Sequence, residues 1–153
     1  MLLVPVTWYL LSDASVRLIL VENNPWDTGV VSFAALLELF GGLVSLLLLM
    51  LIARASSLGL QVFGFVLTVT GITALFVPNT VKGWLLNLDE TFGSLNAFTG
   101  NVVHHLGIDF GSGRIAIFGM VLLAGGITIH FARRSGAERA TVYERRKALG
   151  LDD

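Results

Sequence analysis

Residues 29–53 decide the fold, and their sequence is GVVSFAALLELFGGLVSLLLLMLIA, in which Glu38 is the one charged residue. A helix of roughly 20 apolar residues crosses the hydrocarbon core of a bilayer. This stretch therefore predicts a transmembrane helix.

Three further stretches predict membrane crossings. Residues 58–77 and 115–132 are apolar and contain no Asp, Glu, Lys or Arg. Residues 2–21 are interrupted by Asp13 and Arg17, which are four residues apart and can form an ion pair on one helix face. This first segment either crosses the membrane or lies flat on it. We therefore predict an all-α bundle of four transmembrane helices, or three if the first segment is interfacial.

The composition excludes several classes of protein. Hydrophobic residues make up 54% of the 153 residues and charged residues 14%, whereas soluble domains carry about 25% charged residues. An ordinary soluble enzyme, a disordered chain and a nucleic-acid-binding arm are excluded. The absence of cysteine excludes disulfides and thiolate metal sites. Membrane lipid is the expected partner, and nucleic acid is not.

Residues 79–112 form a long connection that is too polar to cross the membrane. Its apolar positions 85, 88, 92 and 95 recur at helical spacing, which is typical of amphipathic helices. We expect one or two short helices lying at the external interface, broken by Gly93, Gly100 and Gly107.

The chain is expected to divide into a membrane domain, residues 1–134, and a cytoplasmic tail, residues 135–153. Ser135 and Glu138 have the spacing of a capping box, which predicts a separate tail helix over about 136–149.

The distribution of charge predicts the orientation. Six of the ten basic residues follow position 132, and Arg54 lies in the short turn after the second helix. The segments 22–28 and 79–112 are mainly acidic. Since cytoplasmic flanks retain Lys and Arg, four crossings place both termini in the cytoplasm. We expect an integral protein of a prokaryotic plasma membrane or a viral membrane.

Glu38 is the strongest candidate for an intramembrane polar site, because it lies near the middle of the predicted second span. An ionised carboxylate there is costly, so it should be protonated, paired or facing a wet cavity. The functional interpretation is a proton or cation site, or an anchor for a partner. The structural interpretation is a neutral Glu hydrogen-bonded to Thr68 or Thr70.

Small residues at three- or four-residue spacing predict close helix contacts. They are Gly41, Ser45, Gly64, Thr68, Gly71, Gly119, Gly125 and Gly126. They are expected to pack one bundle together, or alternatively to form an interface with another subunit.

No catalytic motif is present, and we expect no enzyme activity. His104 and His105 lie in the external connection, and His130 lies near the opposite end of the fourth helix. Because they are expected on opposite sides of the membrane, they cannot bind one haem within one chain. We predict no catalytic residue, metal site or cofactor.

Glu38-Leu39-Phe40-Gly41-Gly42, an apolar run and then Arg54 resemble the second-helix pattern of DoxX-like small four-helix membrane proteins. The resemblance covers residues 38–54. It implies a four-helix protein with both termini inside and a role as a subunit associated with membrane redox enzymes. The long external connection and the charged first segment depart from the pattern.

The small size, the small-residue faces and the long connection favour a non-catalytic integral membrane subunit. Such a subunit would pack into and stabilise a larger membrane protein complex or a membrane-bearing virion. The alternative is a small oligomeric channel, holin-like or transporter protein in which Glu38 lines the path. The expected protein partners are other membrane subunits or further copies of the chain.

Overall fold

The computed structural model describes residues 2–19, 29 and 32–149, and the regular secondary structure within these ranges is entirely helical. Its α-helices are α1 (Leu3–Ile19), α2 (Phe33–Ala53), α3 (Leu58–Phe76), α4 (Pro78–Leu88), α5 (Ala97–Gly111) and α6 (Arg114–Ala148). A π-helical turn, Asp89–Gly93, follows α4. The predicted all-α class is confirmed.

Within the described ranges, three helices are long and apolar enough to cross a membrane: α2, α3 and α6. Their large apolar side chains point mostly outward, as Phe40, Leu47 and Phe65 do. A surface of this kind suits lipid as the surrounding solvent, which agrees with the predicted membrane location. With 17 residues, α1 is shorter and more polar than these three.

The helices form two antiparallel pairs. In the α1–α2 pair, Thr7 contacts Ser45 and Arg17 contacts Glu38, so α1 runs alongside α2. In the α3–α6 pair, Gly64 faces Gly119 and Gly71 faces Ala116.

The two pairs meet at both ends of the bundle. At the end that carries Arg54, which we call the basic end, an apolar cluster joins them; it consists of Val4, Leu49, Ala53, Leu60 and Leu122. At the opposite end, α5 contacts α1, α3 and α6. Helix α5 therefore joins the two pairs where the apolar cluster does not reach.

The long connection is more regular than we predicted. Gly93 ends the π-helical turn, but α5 continues through Gly100 and Gly107, so the predicted breaks at these two residues are wrong. A single glycine in a helix costs only about 1 kcal/mol. The capping box of Asn96 and Thr99 fixes the start of α5, and the helix then proceeds unbroken. Its buried residues are Val103, His105 and Asp109, so α5 is packed into the bundle.

The tail helix is not separate either. Helix α6 is continuous over 35 residues, about 52 Å, and passes through the predicted boundary at 134. Glu138 does not cap a new helix; its Oε1 accepts a hydrogen bond from Arg134 Nε at 3.2 Å. Because residues 133–136 are already helical, a cap has no free backbone N–H groups to satisfy.

Helix α2 begins later than the predicted position 29. Ser32 is its N-cap, and the Ser32 hydroxyl accepts a hydrogen bond from the Ala35 N–H at 3.4 Å. Parts of the predicted segments 2–21, 29–53 and 135–153, namely residues 20, 21, 30, 31 and 150–153, lie outside the described residues.

Candidate functional site

A polar cluster lies between α1, α2 and α5, and the buried Asp13 is its centre. The cluster consists of Tyr9, Asp13, Arg17, Glu38, Asn101 and His105. Asp13 Oδ2 accepts a hydrogen bond from Arg17 Nε at 2.9 Å. Asp13 Oδ1 lies 2.8 Å from His105 Nε2 and accepts from Asn101 Nδ2 at 3.3 Å. A buried carboxylate is tolerated when its oxygens are bonded in this way.

The structure brings the predicted ion pair of Asp13 and Arg17 and the predicted polar site Glu38 into this one cluster. Glu38 Oε2 lies 3.3 Å from Arg17 Nε, so Arg17 stands between two carboxylates. Since α2 begins at Phe33, Glu38 lies only about 7.5 Å from the first residue of α2, measured along the helix axis. The predicted position near mid-span is therefore wrong, because the helix starts later than expected.

Thr68 and Thr70 do not contact Glu38, so the predicted hydrogen bond to one of them is wrong. The Thr68 hydroxyl donates to Gly64 O at 2.6 Å, and the Thr70 hydroxyl donates to Val66 O at 2.7 Å. A helical threonine can satisfy its hydroxyl on its own preceding turn. Helix α3 also packs chiefly on α6 rather than on α2.

His105 is the functional candidate that the sequence interpretation missed. His104 and His105 are adjacent in the external connection, but His104 is exposed whereas His105 is 1% exposed. The signal was present in the sequence: Asn101, His105 and Asp109 are spaced four apart, which places them on one helix face.

The charges of the cluster nearly balance. Asp13 and Glu38 each contribute one negative charge when ionised, and Arg17 contributes one positive charge. His105 Nδ1 is buried and makes no hydrogen bond among the described residues.

A second group of polar contacts ties α1 to α5 and α6. Trp8 Nε1 donates to Asp109 Oδ2 at 2.9 Å, and Arg114 Nη1 donates to Ser15 Oγ at 2.9 Å. Arg114 Nη1 also lies 3.6 Å from Asp109 Oδ1. These contacts fix the start of α6 against α1.

The polar cluster is accessible from one side of the bundle. Arg17, Asn101 and His104 line a shallow cleft of about 760 Å³ at the end opposite Arg54. Toward the basic end, α1 and α2 meet at the Thr7–Ser45 contact, and the apolar cluster follows.

The small-residue candidates lie at three different contacts. Gly64, Thr68, Gly71, Gly119 and Gly126 lie between α3 and α6, Gly41 and Ser45 between α1 and α2, and Gly125 against Met50 of α2. A Cβ on Gly71 would come within 2.5 Å of Ala116 N, so the backbones of α3 and α6 touch. Gly42, which was not among the candidates, packs tightly on Leu11.

The chain matches no known family model, and no curated protein or solved structure is similar to it. The DoxX-like pattern of residues 38–54 gains no support from these comparisons and stays a prediction.

Proposed function

We propose that this protein is a non-catalytic integral membrane subunit that packs into and stabilises a larger membrane assembly. The observation that supports the proposal best is the second half of α6. Residues 135–148 continue as a charged helix, and every one of them is exposed. An isolated helix of this length is marginally stable in water, so a partner that covers one face would stabilise it.

One face of this extension offers apolar contacts. Val142, Tyr143 and Leu149 are exposed. Val142 and Leu149 are seven residues apart and Tyr143 is next to Val142, so the three lie on one side of the helix. An exposed aromatic residue with apolar neighbours is typical of protein interfaces. We therefore assign this face to a partner subunit.

We infer four crossings, with both termini in the cytoplasm of a prokaryotic plasma membrane or inside a viral membrane. Arg133 Nη1 donates to Ala55 O at 3.0 Å, so the basic tail and the basic turn share one end of the bundle. The start of α1 lies at the same end, since Val4 packs with Ala53 and Leu60. Retention of Lys and Arg inside supports this orientation.

The polar cluster then has a structural role in the subunit. Ionisable residues within a membrane are paired or functional, and here the pairs connect α1 with α2 and α5. The cluster holds the polar first helix in place.

The alternative function, a small oligomeric channel or transporter, rests on the partial exposure of Arg17 and Glu38. The apolar cluster at the basic end opposes a route through one chain, so the path would have to lie between copies. If the protein supports flux across proteoliposome membranes and Glu38→Gln abolishes that flux, the result would favour this alternative over the subunit role.

The test is extraction of an N-terminally tagged protein from its native membrane in mild detergent, followed by native mass spectrometry. We expect a complex that contains at least one different protein. Tyr143→Glu should release the subunit, whereas Ala137→Glu, which lies on another face of the same exposed helix, should leave the complex intact. A monomer, or an assembly of this chain alone, would contradict the proposal.

A further inference from the structure

The gap between the two helix pairs contains a cavity that the polar cluster does not use. It measures about 280 Å³, and side chains of four helices line it, among them Trp8, Phe63, Leu106 and Phe118. No polar atom contributes to its wall. An apolar cavity stays dry, so water is a poor occupant, whereas a hydrocarbon chain fits its chemistry.

A second, polar cavity adjoins the first. It measures about 220 Å³, shares Trp8 and Phe118 with the apolar cavity, and adds Ser12, Ser15, Asp109 and Arg114 to its lining. Ser12 and Ser15 follow Trp8 along α1, away from the basic end. The polar cavity therefore lies closer to the end of the bundle opposite Arg54, and the apolar cavity lies closer to the basic end.

Two oxygen atoms at the polar cavity lack hydrogen-bond partners within the described chain. They are Ser12 Oγ and Asp109 Oδ1, on residues that are 4% and 2% exposed. A buried polar atom without a partner destabilises the protein, so a ligand that supplies the partner is favoured. Both oxygens belong to residues that line the same cavity, so one ligand can serve both.

We propose that the two cavities together bind one membrane lipid: a single hydrocarbon chain with an uncharged head that carries hydroxyl groups. The chain occupies the apolar cavity. One hydroxyl of the head donates to Asp109 Oδ1, and the head also accepts a hydrogen bond from the Ser12 hydroxyl. The site is independent of the partner that covers the α6 extension.

The charges of the polar cavity support an uncharged head. Arg114 is the cation at this site, and Asp109 already balances it at 3.6 Å. Arg114 also donates to Ser15 Oγ. An anionic head would bring an unbalanced negative charge close to Asp109, which is unfavourable in a weakly polar environment.

The test uses the fluorescence of Trp8, which lines both cavities. The protein Trp26→Phe/Trp84→Phe keeps Trp8 alone and is titrated in detergent micelles with a monoacylglycerol whose chain carries two bromine atoms. Bromine quenches tryptophan on contact. The matched control is Trp8→Phe/Trp26→Phe, in which the half-exposed Trp84 reports lipid in the bulk micelle.

We expect saturable quenching of Trp8 at a lipid mole fraction about tenfold below that needed for Trp84, the ratio that two hydrogen bonds supply. Ser12→Ala should weaken binding about fivefold. Leu106→Phe should fill the apolar cavity and abolish the selective quenching of Trp8 without lowering the unfolding temperature. Parallel quenching of Trp8 and Trp84 would overturn the proposal.

The head is tested with brominated lysophosphatidic acid, which has the same chain and an anionic phosphate. The wild-type cavity should prefer the monoacylglycerol. Asp109→Asn leaves Arg114 unbalanced and should reverse the preference. If the phosphate lipid quenches Trp8 as strongly as the monoacylglycerol, or more strongly, in the protein that retains Asp109, the assignment of an uncharged head is overturned.

Discussion

The α1–α2 pair and the α3–α6 pair are held together by different interactions. Between α3 and α6 the backbones touch, because Gly64, Gly71 and Gly119 leave no side chain between them. Between α1 and α2, Gly41 and Gly42 pack on leucine side chains of α1, and polar contacts are added: Thr7 Oγ1 lies 2.6 Å from Ser45 Oγ, and Arg17 lies 3.3 Å from Glu38.

The difference follows from the sequences of the helices. Lipid removes the hydrophobic driving force between helices, so close packing and hydrogen bonds must hold them. Helix α3 carries no charged residue and associates with α6 by close approach of backbones. Helix α1 carries Asp13 and Arg17, and these charges require partners on α2 and α5. The association of α1 with α2 therefore depends on a third helix, α5, which supplies partners for Asp13.

Gly119→Val should have the largest effect. A Cβ at position 119 would overlap Thr68 N, so the α3–α6 pair must separate to admit the side chain. We expect a loss of about 3 kcal/mol in the free energy of unfolding, measured by denaturant titration in micelles. Gly83→Ala, at a helical position with open space around it, is the control. Unfolding of Gly119→Val at the wild-type midpoint would contradict the close packing.

Asp13→Ala should be the next most harmful change. It removes the hydrogen-bond partner of His105 and Asn101 and leaves Arg17 with Glu38 alone. Because His105 is buried, the loss of its partner should cost about 2 kcal/mol. Because the lost contacts connect α1 with α5, hydrogen exchange of α5 should accelerate, while that of the α3–α6 pair should not. Glu90→Ala, an exposed acid in the π-helical turn, is the control. Unchanged exchange in α5 would show that the polar cluster does not hold it.

The α3–α6 contact could be anticipated from the sequence, whereas the polar cluster could be anticipated only in part. Helical spacing alone places Gly64, Thr68 and Gly71 on one face. The ion pair of Asp13 and Arg17 is also local. The approach of His105 depends on how α5 folds back between the helix pairs, over 92 positions of chain, and no local pattern specifies that. The pairing of α1 with α2, a separate tertiary contact, gave Glu38 its partner, Arg17.

Thr7→Val should have a smaller effect. The Thr7 hydroxyl donates to Leu3 O at 2.7 Å, so the Ser45 hydroxyl is the donor to Thr7 Oγ1. Hydrogen bonds between helices in a membrane contribute about 0.6 kcal/mol on average. A double-mutant cycle with Ser45→Ala isolates this term, and a coupling energy of zero would contradict the contact.

Glu38→Gln should have the smallest effect on stability, within about 0.5 kcal/mol, because the ion pair with Arg17 is partly exposed and Arg17 retains Asp13. The measurement is the same unfolding titration. A loss as large as that of Asp13→Ala would mean that Glu38, rather than Asp13, is the centre of the cluster.

Cysteine accessibility in sealed vesicles tests the arrangement of the α1–α2 pair most directly, since the chain has no cysteine of its own. The variants Leu2→Cys, Ser56→Cys and Glu90→Cys are labelled separately with a membrane-impermeant maleimide. The antiparallel pairing of α1 and α2 predicts that positions 2 and 56 react from the same side and position 90 from the other. Reaction of position 2 from the side of position 90 would contradict the account.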